Sequence, residues 1–132
     1  MRTPIVMCAV ALLSGCATKS EVRNMPSDAG LANSYAVSMD KAKLACKDTL
    51  GELGYSVKDD VAHAAGWWRI LGSQGLSSGG TGRIIRFMIE DKRDSVVVRV
   101  VVQSRVDTAE ARAADAAIAE DVHKRAAARM AK

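Results

Sequence analysis

The succession of hydrophobic periods predicts an α+β fold in the order β-α-β-β-β-β-α, an antiparallel sheet with two helices packed on one of its faces. Three observations predict it. An apolar stripe at 3-4 spacing runs from Met39 to Leu53 and stops at Gly54. Two runs rich in Ile and Val, 83–90 and 95–105, flank the polar tetrad Asp91-Lys92-Arg93-Asp94. A long alanine-rich segment then follows Asp107-Thr108-Ala109-Glu110. A length of 132 residues fits one domain, and 48% hydrophobic content excludes a fully disordered chain. Aromatic residues make up only 4%, so the predicted core is thin.

Each element has its own signal. Ser34-Tyr35-Ala36-Val37 alternates and predicts a short first strand. Ser38 or Asp40 can cap the first helix, whose buried face is Met39, Ala42, Cys46, Thr49 or Leu50, and Leu53. Gly54 ends it in the C′ role. Tyr55-Ser56-Val57-Lys58 opens the second strand, His63-Ala64-Ala65-Gly66 breaks it, and Trp67 to Leu71 forms the third. Residues 72–82 form a loop with five glycines and three serines. Arg83–Glu90 and Ser95–Arg105 form the fourth and fifth strands. Asp107-Thr108-Ala109-Glu110 resembles a capping box and opens a helix to about Met130, with Ala111, Ala114, Ile118, Val122 and Ala126 along its stripe.

Pairing Glu90 with Ser95 across the tetrad sets a register for the last two strands. One face then holds Ile85, Phe87, Ile89, Val96, Val98 and Val100, and is the expected core face. The other holds Ile84 opposite Val101, Met88 opposite Val97, and Arg86 opposite Arg99. That second face is unusually apolar for a solvated sheet. Trp67 and Trp68 point to opposite faces of a strand, so one of them lies on this second face, where it either packs under the 72–82 loop or joins the apolar patch. Trp67, Trp68, Ile84, Arg86, Met88, Val97, Arg99 and Val101 are therefore the candidate binding face, an apolar patch with cationic points of the kind that marks partner, lipid or ligand surfaces.

Residues 1–15 read as a signal peptide. Arg2 supplies a basic n-region, and Ile5 to Leu13 is an apolar run far shorter than the ~20 residues that span a bilayer. The run ends in Leu13-Ser14-Gly15-Cys16, which resembles a bacterial lipobox. Its small residues let a peptidase approach the backbone, and its thiol is the nucleophile that accepts a diacylglyceryl group. By that resemblance Cys16 becomes the lipidated first residue, and Ala17 in the following position implies sorting to the outer membrane, on its periplasmic face, or to the cell membrane where no outer membrane exists. Two or three acyl chains, at about 0.8 kcal/mol per buried methylene, anchor stably. Residues 16–33 are expected to be the lipidated cysteine with a flexible tether, and 34–132 the single folded domain. Loss of Arg2 lowers the net charge from +4 to +3, which permits contact with anionic headgroups or acidic partners. Nucleic acid is excluded as a partner by the envelope location.

The remaining chemistry is sparse. Cys8 leaves with the signal and Cys16 carries lipid, so Cys46 is the sole thiol of the mature chain and no internal disulfide forms. Cys46 with His63 or His123 invites a nucleophile-base reading, but its place on the apolar helix face predicts a packed side chain. The histidines lack metal-ligand spacing, and no metal or cofactor is expected. The 72–82 loop ends in Gly82-Arg83 before a strand, whereas a phosphate loop ends in glycine-lysine-serine or -threonine before a helix. It is expected to be a flexible hairpin connection.

Asp40-Lys41-Ala42 to Ala45, Leu50, Leu53-Gly54-Tyr55, Val57 and Gly66 carry a resemblance. The chain is similar there to small bacterial lipoproteins with an uncharacterised domain of β-α-β-sheet-α order. More loosely, it resembles the domains of the lipoprotein subunit of the outer-membrane β-barrel assembly machine. The likeness covers the residues after the tether. It departs at Lys43, where that family often has a large aromatic, and in the long glycine loop. It implies no catalytic residues. The function expected is a membrane-anchored, non-catalytic envelope module that binds a protein partner or anionic lipid headgroups through its open sheet face. The alternative is a periplasmic small-ligand or lipid binder of helix-grip type.

Overall fold

A computed structural model describes residues 19–74, 82–104 and 108–131. In chain order the elements are α1 (Lys19–Arg23), β1 (Leu31–Tyr35), α2 (Met39–Glu52), β2 (Ser56–Ala64), β3 (Trp67–Ser73), β4 (Ile84–Asp91), β5 (Val96–Gln103) and α3 (Ala109–Met130). The strands form one antiparallel sheet in the order β1-β5-β4-β3-β2. The α+β fold is as the sequence predicts, with α2 and α3 against one face. Because β1 and β2 sit at opposite edges, α2 carries the chain across the whole sheet between them. Among the described residues, no helix is long and apolar enough to cross a membrane.

Local chemistry sets the helix ends. Ser38 caps α2, its hydroxyl accepting from Lys41 N–H. At the other end Gly54 takes φ +83°, Tyr55 N–H bonds Leu50 C=O at 2.9 Å, and Gly54 N–H bonds Gly51 C=O at 3.2 Å. These are the two crossed bonds of a Schellman ending. They turn Tyr55 inward, where it is buried in the same core as Leu50. Thr108 caps α3 by accepting from Ala111 N–H. Glu110 is therefore at the second helical position, one short of where a capping box needs it, and Asp107 lies outside the described residues.

The core face contains Ile85, Phe87, Ile89, Val96, Val98 and Val100, covered by Ala42, Ala45, Cys46 and Leu50 of α2 and Ala119, Val122, Ala126 and Met130 of α3. Ala111, Ala114 and Ile118 of the expected α3 stripe are only half-buried; the buried line runs instead through Asp115, Ala119, Val122, His123, Ala126 and Met130. Alanines on both sides of α3 gave the sequence pattern no contrast with which to orient it.

Beyond β2 running through His63 to Ala64 and β3 through Gly72 to Ser73, where a break and a loop were expected, three further expectations need correction. The β4-β5 hairpin is tighter than the tetrad suggests: Lys92 N–H bonds Ser95 C=O at 2.9 Å, leaving Arg93-Asp94 as the turn, with Arg93 at φ +75°. Pairing moves by two residues, so Arg86 faces Val101 and Met88 faces Arg99. A shift of two preserves both faces, but it separates the two arginines that had seemed to oppose each other. Second, β1 is three residues earlier than expected and mostly exposed; pairing with β5, not apolar burial, defines it. Third, the stretch read as flexible tether is structured from Lys19 onward. It forms α1, crosses the sheet as a strap and enters β1 at Leu31.

Candidate functional site

The strap lies on the sheet face opposite α2 and α3. Val22 is fully buried there, and Met25 and Ala29 pack with it against Leu71, Ile84 and Val101. The apolar residues that looked like an open patch are thus a second, smaller core. Arg86 is fully buried beneath the strap. Its guanidinium donates to the carbonyls of Met25 and Pro26, both at 2.8 Å, and of Val22 at 3.3 Å. Burial, then the neighbouring charge of Arg69, lowers its pKa. Arg23 adds a bidentate ion pair to Asp59 on β2, at 2.6 and 3.2 Å. Its hydrogen bonds, joined by Arg69 at 3.3 Å, hold the Asp59 carboxyl below the usual range. Ser27 Oγ lies 3.1 Å from His63 Nε2, a further strap-to-β2 contact.

The expected binding face is therefore mostly closed. Ile84, Arg86, Met88 and Val101 are buried. Trp68 points to the helix face, where Lys43 sits 3.6 Å over its ring and its Nε1–H donates to Asp60 at 2.6 Å. Lys43, which stands where an aromatic was expected from the resemblance, thus covers an aromatic instead. Trp67 remains on the other face with Val97 and Arg99, all half-buried. Arg99 lies 5.3 Å from the Trp67 ring centre and donates to Glu90 at 3.0 Å. Reading each strand by alternation found the faces correctly; nothing in the local pattern announced that residues 22–29 would fold back over one of them.

The titratable side chains named for chemistry occupy structural positions. Cys46 is fully buried, and burial pushes its thiol well up. That position also excludes a disulfide-linked dimer through Cys46 in the folded chain. His123 is clamped between β1 and α3. The Leu31 carbonyl only accepts, so Nε2–H donates to it at 2.7 Å, and Nδ1 accepts the Tyr35 hydroxyl at 2.8 Å. Burial lowers the His123 pKa, against the opposing Leu31 bond. The residues 75–81 of the glycine loop lie outside the described residues; Gln74 N–H bonding Arg83 C=O at 3.0 Å marks the base of that hairpin.

A concave site lies at the β5 end of the strap. It is a groove of about 480 Å³ between the strap, β5 and α3. Met25, Ala29 and Gly30 form one wall, Val100 to Ser104 the floor, and Arg112, Ala116, Ala119 and Glu120 the other wall. Asp115 fixes the far end, accepting from Ser104 N–H at 3.0 Å, Ser104 Oγ–H at 2.6 Å and Arg83 Nε at 3.0 Å. Val100 and Val101 apart, none of these residues was singled out from sequence. Gly30, in a stretch otherwise read as tether, was the one available signal. No family model matches this chain, and no curated protein matches it.

Proposed function

We propose that the chain is a lipid-anchored protein of the bacterial envelope that acts by binding and not by catalysis, at the periplasmic face of the outer membrane or at the cell membrane where there is only one. One observation carries the reading. The lipobox-like Leu13-Ser14-Gly15-Cys16 ends only three residues before Lys19, where α1 begins and the chain turns onto the sheet. Three Cα steps of about 3.8 Å allow a reach of about 11 Å. A lipidated Cys16 therefore holds the domain against the headgroups, with its strap-bearing face nearest the anchor. The long tether expected from composition would instead have let the domain range freely.

Binding is favoured over catalysis by where the titratable groups are spent. Glu52 pairs with Arg125 and Arg129, Asp59 with Arg23 and Arg69, Asp60 with Lys47, Glu90 with Lys92 and Arg99, and Asp115 with Arg83. The groove is the concave feature with apolar walls and a few polar ends that recognition sites share. Its alanine-lined α3 wall also favours the second reading, a small-ligand site, although the groove lies at the sheet edge and not under a gripping helix. Growth with an alkyne-tagged fatty acid tests the anchoring: the chain takes up label and the Cys16→Ser variant does not. Equal labelling of both, or of neither, refutes it.

A further inference from the structure

We propose that the groove at the free end of β5 takes an extended peptide segment of a partner protein, which joins the sheet as a short strand antiparallel to β5. This rests on the reading of the chain as a binding module and names what it binds. The ground is main-chain chemistry. β5 is paired with β4 as far as Gln103, which faces Ile84. On its other side, β1 accompanies β5 only to the pair Leu31–Val100. Successive residues of a strand aim their N–H and C=O groups at opposite edges. Among Val101, Val102 and Gln103, at least one therefore presents both groups to the lane that β1 leaves vacant. Such groups at a strand edge are a template for another strand.

Among the described residues nothing fills this lane, and Gly30 is the reason. Its φ of +101° turns the chain out of the β1 line, and a Cβ there would lie 2.4 Å from the Val100 carbonyl oxygen. The residues before it, Ala29 and Met25, go to the opposite sheet face. The strap so becomes one wall of the lane and α3 the other, where small side chains at Ala116 and Ala119 leave width for a strand. An acyl chain would suit the walls but would leave the β5 edge without partners, at the cost of burying unpaired amide groups.

Charge sets the sequence that fits. Asp115 ties the start of α3 to Ser104, and His123 ties its later turns to Leu31. Arg112 thus stands near the Gln103 end and Glu120 near the Leu31 end. A strand antiparallel to β5 enters beside Arg112 and leaves beside Glu120. The matching segment has β-branched or small residues first and, facing Glu120, a basic residue last.

The probe is an acetylated and amidated peptide Thr-Val-Thr-Val-Lys, with two versions N-methylated at successive central residues. The full chain is used, in phospholipid nanodiscs if it carries acyl chains and in buffer if it does not, so the outcome is independent of anchoring. The expected result is saturable binding, with slowed amide exchange within Val101–Gln103. One of the two N-methylated peptides should bind about tenfold or more weakly, the loss of one buried main-chain hydrogen bond. Ala116→Trp, at an exposed helix position, should weaken binding at least as much while leaving the melting temperature in place. Absence of binding, equal affinity for both N-methylated peptides, or myristate binding in the groove with no slowing of exchange at Val101–Gln103 overturns the proposal.

Discussion

Arg86 carries a charge into the contact between sheet and strap and meets main-chain carbonyls there, not a carboxylate. Replacing it with Met leaves those acceptors short of a donor, which costs about 1–3 kcal/mol. The expected outcome is a lower denaturant midpoint together with tryptic cleavage at Arg23, read by mass spectrometry of limited digests. Arg86→Glu would bury a carboxylate among carbonyl oxygens and should prevent folding, so charge reversal at Arg86 cannot serve as a surface test of binding. His123 gives the pH dependence. Its folded pKa lies below the ordinary histidine value, so the unfolded chain binds the extra proton first as the solution is acidified. This contribution is complete above about pH 7 and is lost as pH falls through about 6.5 toward the folded value. The melting temperature should therefore drop between about pH 7 and pH 5, and His123→Gln should flatten that slope. Cys46 should resist maleimide in the native state and react only on unfolding, because its thiol is both buried and held protonated.

Among the elements, the two ends of the strap-to-β1 passage and of α2 offer a matched pair of glycines. Gly54 has φ +83° with open space where a Cβ would go, so Gly54→Ala costs only backbone strain, about 1 kcal/mol. Gly30→Ala adds a clash with the Val100 main chain that cannot relax by rotating a side chain. The expected ranking by urea denaturation is a far larger loss for Gly30→Ala, with β1 displaced from β5. Elements with a strong period were legible from sequence. The apolar stripe gave α2 and its Gly54 ending, and the two Ile/Val runs gave β4, β5 and the correct face for each residue. The α3 face was not legible, because alanine lies all round that helix. The strap was not legible either: Val22, Met25 and Ala29 have no repeating spacing, and their burial depends on a sheet face assembled from residues 71–101. The groove follows from the strap, so it was equally hidden. The hairpin turn was misplaced because a positive φ at Arg93 has no glycine or asparagine to signal it.

At the scale of the molecule, the strap would join the proposed anchor at Cys16 to the sheet face opposite α2 and α3. Three Cα steps of about 3.8 Å give about 11 Å of main-chain reach between Cys16 and the start of α1 at Lys19. A fluorophore at Asn24, an exposed strap residue, should be quenched by lipids bearing a headgroup quencher. A long glycine-serine insertion between Thr18 and Lys19 should relieve the quenching without changing the melting temperature. All of this depends on what happens at residues 13–16, and one measurement addresses it directly: the intact mass of the chain isolated from membranes of its own host. The expected result is a polypeptide beginning at Cys16, with the mass of a diacylglyceryl group and, where the host adds it, an N-acyl chain. A chain that begins at Met1, or that begins at any residue with an unmodified Cys16, would contradict it.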